Sequence, residues 1–347
     1  MTRRFRPCLL LDVGDTLMRR DRPGPKRRVL DLLQDEGVDP ALDRAIADAI
    51  LTAPDPLQAA ASVARIAGLP PALQDAVHAV LVAGEGPATL VAGALDLLQT
   101  AAALGWRVLL ASNAVSWAPP VPPPLRRRAE AYVSSSALGI AKQDSAFWRE
   151  LCARHDIAAG EAVSIGDSPV ADVASAQAAG IAALLAPPDL SPLARAIEQA
   201  GSPPEKTIAV LAGEASLWAG QSVLPGHGLE GLVTRATRAR VTLRTRDHRF
   251  AAEVVRRSGG NGPLVTAPSA TGLWFAWVAL REDRRLEALP PDLRRALDHA
   301  GVSVDALTRA DRRHAAAFVR ESSTDAVRIA RIAEIILALR RGSRDAG

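Results

Sequence analysis

The segment from Leu9 to Leu17 constrains the fold of this chain more than any other. It reads Leu-Leu-Leu-Asp-Val-Gly-Asp-Thr-Leu, so an apolar run ends on Asp12 and breaks at once into a polar turn. A short apolar run of this kind predicts a buried strand of a parallel sheet. Open α/β sheets bind their ligands at the carboxyl ends of such strands. The segment therefore predicts a carboxylate at the edge of an α/β sheet where chemistry takes place.

Three later segments predict polar side chains at the same edge. The strand pattern from Arg107 to Asn113 ends on a hydroxyl and an amide, two neutral groups that can donate to a phosphoryl oxygen. Lys142 precedes a helical pattern from Phe147 to His155, and the strand pattern from Ala162 to Ser168 is followed by Asp172. Together these segments supply a candidate nucleophile, a hydroxyl, an ammonium group and two further carboxylates.

Composition draws attention to Lys142. Of the 42 basic residues, all but Lys26, Lys142 and Lys206 are arginines. An ammonium group is a compact point charge, so it can balance a nucleophile and a phosphoryl group without the width of a guanidinium. A lysine kept at this position therefore favours a phosphate site.

In their order and spacing, the four segments resemble the motifs of the haloacid dehalogenase-like (HAD) superfamily over residues 7 to 190. The resemblance implies an α/β fold, with a Rossmann-like core and a helical C1-type cap. It also implies that Asp12 attacks phosphorus and becomes a transient aspartyl-phosphate, which water then hydrolyses.

The same resemblance assigns roles to the remaining site residues. Ser112, Asn113 and Lys142 are expected to hold the nonbridging phosphoryl oxygens as charge develops. The expected ligands of a Mg²⁺ cofactor are Asp12, the backbone carbonyl of Gly14, Asp167 and Asp172, because magnesium prefers oxygen ligands.

The chain departs from the family pattern at two positions. Family phosphatases usually carry a second aspartate where this chain has Gly14, and its side chain protonates the leaving group and later activates water. The backbone carbonyl survives the change, whereas the proton transfer, which is typically worth about a hundred- to ten-thousandfold in rate, is lost. If the chain stays extended here, neighbouring Asp15 faces away and cannot substitute. Gln143 stands where the family often has proline.

The missing aspartate leaves several functions open. The chain can be a phosphatase for good leaving groups, or one that borrows its acid from the cap or the substrate. It can also be a noncatalytic protein that binds a ligand or partner, or a dehalogenase. We rank a magnesium-dependent phosphohydrolase acting on a small phosphorylated metabolite first, the noncatalytic protein second and the dehalogenase third.

Helical periodicity predicts a helical insert over residues 18–90, within a core formed by 1–17 and 91–200, and the family resemblance implies that this insert is the cap. A basic cluster opens the cap: Arg19, Arg20, Arg22, Lys26, Arg27 and Arg28. Such a run is usually a solvated helix face, and the functional alternative is a funnel for phosphate or acidic substrates.

Residues 201–234 are expected to form a linker and the start of a tail module that continues over 235–347. The tail reads as strands over 238–244, 250–255 and 273–280 and then as helices over 291–300, 309–321 and 325–341. The segments Leu289 to Leu297, Ala317-Phe318 and Arg328 to Glu334 resemble the YdeI/OmpD-associated, or bacteriocin-protection, family. That resemblance implies a small β-barrel followed by helices. Because the linker is rich in proline and the tail has its own pattern of strands and then helices, residues 1–200 are expected to fold alone.

Charge and composition limit the partners and the compartment. Residues 207–347 hold 22 arginines against 15 acidic residues. The arginines are interleaved with acids and accompany few aromatic side chains, so nucleic-acid binding is not expected, while a protein partner of the tail module stays open. Two cysteines in 347 residues favour a reducing compartment. We find no export signal or membrane span, and expect a cytoplasmic protein.

Overall fold

A computed structural model of the chain describes residues 5–83, 86–115, 121–218, 221–233, 238–256, 262–266, 272–280, 289–302, 309–322 and 324–342. The chain forms two compact units, Met1–Leu280 and Arg281–Gly347. Within the described residues, no helix has the length and apolar character needed to cross a bilayer.

A parallel sheet of five strands, in the order β5-β4-β1-β6-β7, forms the core of the first unit. The strand β1 lies in the middle and pairs with β4 on one side and β6 on the other. Its four residues are all buried, as the apolar run predicts. The strands are β1 (Cys8–Leu11), β4 (Arg107–Ser112), β5 (Ala131–Ser134), β6 (Ala162–Gly166) and β7 (Ala182–Leu185).

Helices cover both faces of this sheet, which is why its strands are apolar throughout. Alternate residues of β1 face opposite sides: Leu9 and Leu11 join one hydrophobic cluster, and Cys8 and Leu10 join another. The helices of the core are α5 (Ala94–Ala103), α6 (Pro123–Arg126), α7 (Ser135–Leu138), α8 (Ser145–Arg154), α9 (Ser175–Ala178) and α10 (Ser191–Ala200). A π-helix over Pro169–Ala174 leads into α9.

Between β1 and β4 the chain forms a helical insert. An antiparallel pair of short strands, β2 (Met18–Arg20) and β3 (Ala88–Leu90), stands where the chain leaves and re-enters the core. Val29, Ile46, Val63 and Val77 contribute to a hydrophobic core that all the insert's helices share. The helices are α1 (Pro25–Asp35), α2 (Asp43–Thr52), α3 (Pro56–Ala67) and α4 (Pro71–Val82).

An antiparallel sheet of seven strands follows, in the order β8-β14-β11-β12-β13-β10-β9. The first and sixth strands of this order, β8 and β10, come into contact: a Cβ atom on Gly213 of β8 would lie 2.6 Å from the Pro225 ring of β10. The sheet is therefore curled, and six of its strands form a nearly closed barrel. The predicted fold class is confirmed. The strands are β8 (Thr207–Glu214), β9 (Ser216–Trp218), β10 (Gln221–Pro225), β11 (Arg238–Arg244), β12 (Arg249–Val255), β13 (Leu264–Thr266) and β14 (Leu273–Leu280).

The barrel and the α/β core share one hydrophobic interior. Phe275 and Trp277 of β14 join the cluster formed by α5, α10 and the core strands, whereas Ala276 and Val278 point into the barrel. The Trp277 indole donates to the carbonyl of Ala200 at 2.9 Å. The barrel begins at Thr207, shortly after α10 ends at Ala200, and packs on the core. Its first strands lie within residues 201–234, which the sequence assigns to a linker and the start of the tail module.

The second unit consists of α11 (Pro291–His299), α12 (Arg309–Arg320) and α13 (Asp325–Gly342). Leu293, Leu297, Ala316, Val319 and Ile332 form its hydrophobic core. These three helices fall where periodicity predicts them.

Candidate active site

The carboxyl ends of β1, β4 and β6 converge on one pocket, because parallel neighbours end at the same edge of the sheet. Asp12 and Asp167 directly follow β1 and β6, and Ser112 is the last residue of β4. These residues line a pocket of about 760 Å³ together with Lys142 and Asp172. The structure thus brings together the side chains that the four sequence segments single out.

Lys142 is the centre of this group. Its ammonium donates to Asp12 Oδ1 at 2.7 Å and to the carbonyl of Ala111 at 3.1 Å, and it forms an ion pair with Asp172. The Lys142 ammonium also lies over the ring of Trp148, 5.5 Å from its centre. The side chains of Lys142, Asp12 and Asp172 are 1%, 8% and 1% exposed, so this group of charges is shielded from bulk water.

The pKa values in the pocket follow from burial and charge. Burial raises the pKa of Asp12 to about 6, against the opposing effect of Lys142. Burial lowers the pKa of Lys142, but Asp12 and Asp172 outweigh that effect and raise it overall. Burial and the charge of Asp172 raise the pKa of Asp167. Three carboxylates around one ammonium therefore leave an excess of negative charge that favours a bound cation.

A cation could be held by Asp12, Asp167 and Asp172, each of which offers a carboxylate oxygen within 4.8 Å of the others. Asp172 Oδ2 already accepts from the backbone N–H of Ser168 at 3.0 Å. A Cβ atom on Gly166 would lie 2.2 Å from Asp172 Cγ, so the strand must carry glycine there to make room for this carboxylate. Oxygen ligands of this type suit Mg²⁺.

Asn113 is bound to neighbouring protein groups. Its Oδ1 accepts from the backbone N–H of Lys142 at 2.9 Å, and its Nδ2 donates to Gln143 Oε1 at 2.8 Å. Ser112 lines the pocket beside it. Ser112, at the end of β4, and Asn113, directly after it, are the two residues of this segment predicted to bind phosphoryl oxygens. Asn113 already forms hydrogen bonds that hold the segment containing Lys142.

Gly14 and Asp15 lie in a tight turn beyond the end of β1. Nothing lies within 4 Å of the Cβ position of Gly14, so a side chain fits there. Asp15 has a left-handed backbone with φ of 57° and lines the same pocket as Asp12. Strand alternation therefore does not direct Asp15 away from the site, because the extended strand ends before this residue.

Residues 24–180 match the family model of the haloacid dehalogenase-like hydrolases. The matched range of this HAD-like domain includes Ser112, Lys142 and Asp167 and begins after Asp12. No curated protein sequence matches the chain.

Solved structures with a similar chain path include a 2-haloacid dehalogenase from Pseudomonas syringae pv. Tomato DC3000, with 21% identity, a TM-score of 0.38, and 55% of this chain and 97% of that chain covered. A HAD family enzyme from Bacteroides thetaiotaomicron, in complex with magnesium and inorganic phosphate, has 21% identity, a TM-score of 0.37 and coverage of 54% and 98%. A predicted phosphoglycolate phosphatase from Haemophilus somnus 129PT has 15% identity, a TM-score of 0.34 and coverage of 52% and 84%.

The helical insert of the HAD-like domain contributes basic side chains to the pocket. Arg20, Arg22, Lys26 and Arg27 line it. Arg27 pairs with Asp31 at 2.8 Å, and Arg20 donates to the carbonyl of Gly86 at 3.4 Å. The acidic floor formed by the strand ends thus faces a basic rim, which we define as Arg22 and Lys26.

Two residues that support the site escaped the sequence analysis. The backbone N–H of Asp167 donates to Thr16 Oγ1 at 3.0 Å, which fixes the turn after β6 against the turn after β1. The indole of Trp148 donates to Ser175 Oγ at 2.7 Å while its ring lies beneath Lys142. Thr16 belongs to the polar turn after Asp12 and could have been singled out there. Trp148 reads only as an apolar residue on one face of α8.

Proposed function

We propose that the HAD-like domain is a magnesium-dependent phosphohydrolase that acts through an aspartyl-phosphate on Asp12. The observation that carries this proposal is the arrangement around Asp12. Lys142 binds Oδ1 of the carboxylate at 2.7 Å, and Asp167 and Asp172 stand beside it in the same pocket. A nucleophilic carboxylate needs this combination of a fixed orientation and nearby positive charge.

In the proposed reaction, Oδ2 of Asp12 attacks phosphorus while the bond from phosphorus to the leaving oxygen breaks. The leaving group departs as an anion or takes a proton from solvent water. A second water then attacks phosphorus, the bond between phosphorus and Asp12 Oδ2 breaks, and phosphate leaves with the proton of that water while the Asp12 carboxylate is restored. Lys142 keeps Asp12 oriented through both steps, and Ser112 is placed to donate its hydroxyl to a phosphoryl oxygen. Asn113 holds the backbone of Lys142 and can donate its second amide hydrogen.

Magnesium fits the residues present. Asp12, the carbonyl of Gly14 and Asp167 would hold it, and Asp172 would support them through Lys142 and Ser168. When bound, the ion would neutralise charge on the phosphoryl oxygens and on the carboxylates whose pKa values burial raises.

The basic rim indicates the kind of substrate. Arg22 and Lys26 face the acidic floor across a pocket far larger than a single phosphate needs. We therefore propose a small organic phosphate that carries a second anionic group, placed toward the helical insert. A phosphomonoester with a carboxylate or a second phosphate has this chemistry.

A noncatalytic ligand-binding protein and a dehalogenase are the two other candidate functions. Gly14 lacks the acid that an alkyl leaving group needs, which favours a noncatalytic protein that binds phosphorylated ligands. A halide ion leaves without a proton, so a dehalogenase also tolerates Gly14, but the acidic cluster beside Asp12 has no use in that reaction.

A turnover assay tests the proposed function. Purified protein is given a panel of aryl, acyl and alkyl phosphates and 2-haloacids with Mg²⁺, and phosphate or halide release is measured. We expect phosphate release that chelation abolishes and added Mg²⁺ restores, and that Asp12→Asn eliminates. Asp75→Asn, on an exposed aspartate of α4, is the matched control. Equal release by Asp12→Asn would refute the role of Asp12, and halide release alone would establish the dehalogenase.

A further inference from the structure

A chain of side-chain hydrogen bonds joins the helical insert to the candidate active site. Asp48 of α2 accepts from Gln143 Nε2 at 2.7 Å, and Gln143 Oε1 accepts from Asn113 Nδ2 at 2.8 Å. Asn113 Oδ1 in turn accepts from the backbone N–H of Lys142 at 2.9 Å. The chain crosses from the insert to the catalytic lysine in three hydrogen bonds, and we call it the amide relay.

We propose that Gln143 is a positioning residue that couples the seating of α2 on the core to the placement of Asn113 and Lys142. The consequence for the enzyme rests on the proposed function, whereas the coupling itself belongs to the fold. It makes the geometry around Asp12 depend on whether the insert is docked.

The chemistry of the relay fixes its direction. A carboxylate only accepts hydrogen bonds, so the Nε2 end of Gln143 must face Asp48. Oε1 of Gln143 then faces Asn113 and can only accept, so Nδ2 of Asn113 must donate to it. This leaves Oδ1 of Asn113 for the backbone N–H of Lys142. Each amide is oriented by the preceding partner, and the carboxylate of Asp48 sets the orientation of all of them.

The relay depends on the residue at which this chain departs from the family pattern. Proline at position 143 has no side-chain donor or acceptor and could form neither bond. Gln143 and Asp48 lie 95 positions apart in the sequence, and Asn113 and Gln143 lie 30 apart. The glutamine therefore supplies a contact between insert and core that backbone packing alone does not provide.

A second contact shows that α2 has a defined seat on the core. Ser135 Oγ donates to the carbonyl of Leu51 near the end of α2 at 2.8 Å, and this bond is buried. Ser135 fixes the helix in place at one point, while Asp48 connects it to the site. Undocking of α2 would break both contacts, and the relay connects the change to the backbone N–H of Lys142.

Amide hydrogen exchange tests the coupling without any turnover. We expect Gln143→Leu and Asp48→Ala each to speed exchange of the Lys142 amide by about 3- to 10-fold, as loss of one hydrogen bond predicts. Asp48→Asn keeps an accepting oxygen and should resemble wild type. Asp75→Ala, on the exposed face of α4, should leave the Lys142 amide unchanged.

The double variant decides whether the residues act as one chain. Three hydrogen bonds of the relay separate Asp48 from the Lys142 amide, so the effect of Asp48 must pass through Gln143. We expect Asp48→Ala to add nothing in the Gln143→Leu background. Unchanged Lys142 exchange in Asp48→Ala, or additive effects in the double variant, would overturn the relay. Because these measurements need no substrate, they stand even if the protein releases no phosphate.

Activity provides the second arm if the protein is a phosphatase. A positioning role predicts that Gln143→Leu and Asp48→Ala each lower kcat by about 3- to 10-fold with an unchanged Mg²⁺ requirement. Asp48→Asn, which keeps an accepting oxygen, should retain the kcat of the wild type. A fall confined to thermal stability, with kcat unchanged, would show that the relay only holds the insert in place and would overturn the positioning role.

Discussion

Lys142 shows how much of the site depends on one residue type. Its side chain is almost completely buried, reaches two aspartates and the carbonyl of Ala111, and lies over Trp148. A guanidinium is planar and wider, so it could not make these contacts in the same space. This explains why a chain in which nearly all basic residues are arginines has a lysine at this position.

Gly14 offers a direct test of the missing acid. The open space at its Cβ position accommodates a carboxylate, so Gly14→Asp should fold normally. We expect it to speed hydrolysis of alkyl phosphates, within the range of about a hundred- to ten-thousandfold that general acid–base groups supply, and to shorten the lifetime of the phosphoenzyme. The phosphorylation step with aryl and acyl phosphates should change far less, because their leaving groups need no proton. Quenched-flow assays on each substrate class measure the difference.

Asp15 is the comparison for this variant, because it lines the same pocket. If Asp15 already supplies the proton, Asp15→Asn should depress alkyl phosphate hydrolysis and Gly14→Asp should add little. A Gly14→Asp protein that binds Mg²⁺ normally, gains nothing on alkyl phosphates and is unaffected by Asp15→Asn would show that the acid comes from elsewhere.

The candidate site could be predicted residue by residue where it follows strand ends. Asp12, Ser112 and Asp167 are marked by apolar runs that break into polar turns, and the sheet brings these ends together. The contacts of Asn113 could not be predicted, since its partner Gln143 is bound in turn to Asp48 of the insert. Hydrogen bonds between distant segments leave no periodic signal in the sequence.

At the scale of elements, the start of α1 has an unusual charge distribution. Its first turn contains no acidic residue, although acidic groups are favoured at a helix N-terminus. Lys26 and Arg27 stand there instead and line the pocket, together with Arg22 just before the helix. The element thus contributes positive charge to the lining of the pocket that contains Asp12.

Neutralising the basic rim should change the substrate preference of the enzyme more than the rate of its chemical step. We expect the double variant Arg22→Gln, Lys26→Gln to raise KM for phosphomonoesters with a second anionic group by about tenfold, as loss of a charged contact worth about 1.5 kcal/mol implies. The KM of phosphomonoesters with a neutral remainder should stay nearly constant. Arg44→Gln, on the exposed side of α2, is the control. An equal rise in KM for all substrates would show that the basic rim attracts anions in general and does not bind the second anionic group.

In the second unit, an ion pair joins two helices. Arg328 of α13 donates to both carboxylate oxygens of Asp292 in the first turn of α11, at 2.5 and 2.9 Å. These hydrogen bonds hold the pKa of Asp292 at about 2. The helices α11 and α13 are thereby connected at the surface of their shared core.

This pair should make the second unit sensitive to acid. The folded-state pKa of Asp292 lies below its usual value, so the pair stabilises at neutral pH and its contribution is lost as pH falls from about 4 toward 2. We expect Asp292→Asn to lower the unfolding midpoint at pH 7, with a difference from wild type that shrinks on acidification. Thermal unfolding followed by circular dichroism measures this, and a difference independent of pH would contradict it.

At the scale of the whole molecule, the barrel shares its packing with the α/β core. The strand β14 is apolar at successive positions because both of its faces are covered: Phe275 and Trp277 face the helices of the core, while Ala276 and Val278 face the barrel interior. An antiparallel strand with one face in solvent would alternate instead. The run from Leu273 to Leu280 therefore already signals a barrel with a covered side.

Strands with a strong local pattern could be predicted, and β11, β12 and β14 lie where the sequence places them, as do the three C-terminal helices. The strands β8, β9, β10 and β13 were missed. The strands β9, β10 and β13 are short, and β10 even ends on Pro225, so pairing with neighbours rather than local preference forms them. The apolar strand β8 has a local strand pattern of its own that was overlooked. The sequence accordingly assigns 201–234 to a linker and the start of the tail module without locating β8 within it.

The shared interior leads to a prediction about where the chain can be divided. The sequence suggests that residues 1–200 fold alone, but that fragment would lose the aromatic contacts of Trp106 with Phe275 and Trp277. We expect residues 1–200 to unfold at a markedly lower temperature than residues 1–280, which retain the whole first unit. Calorimetry of the two fragments measures this, with Trp277→Ala in the full chain as a point test that should cost about 3–5 kcal/mol. Trp274→Ala is the matched control, because Trp274 packs on the barrel cluster. A stable 1–200 fragment with undiminished phosphate release would show that the barrel contributes nothing to the fold of the α/β core.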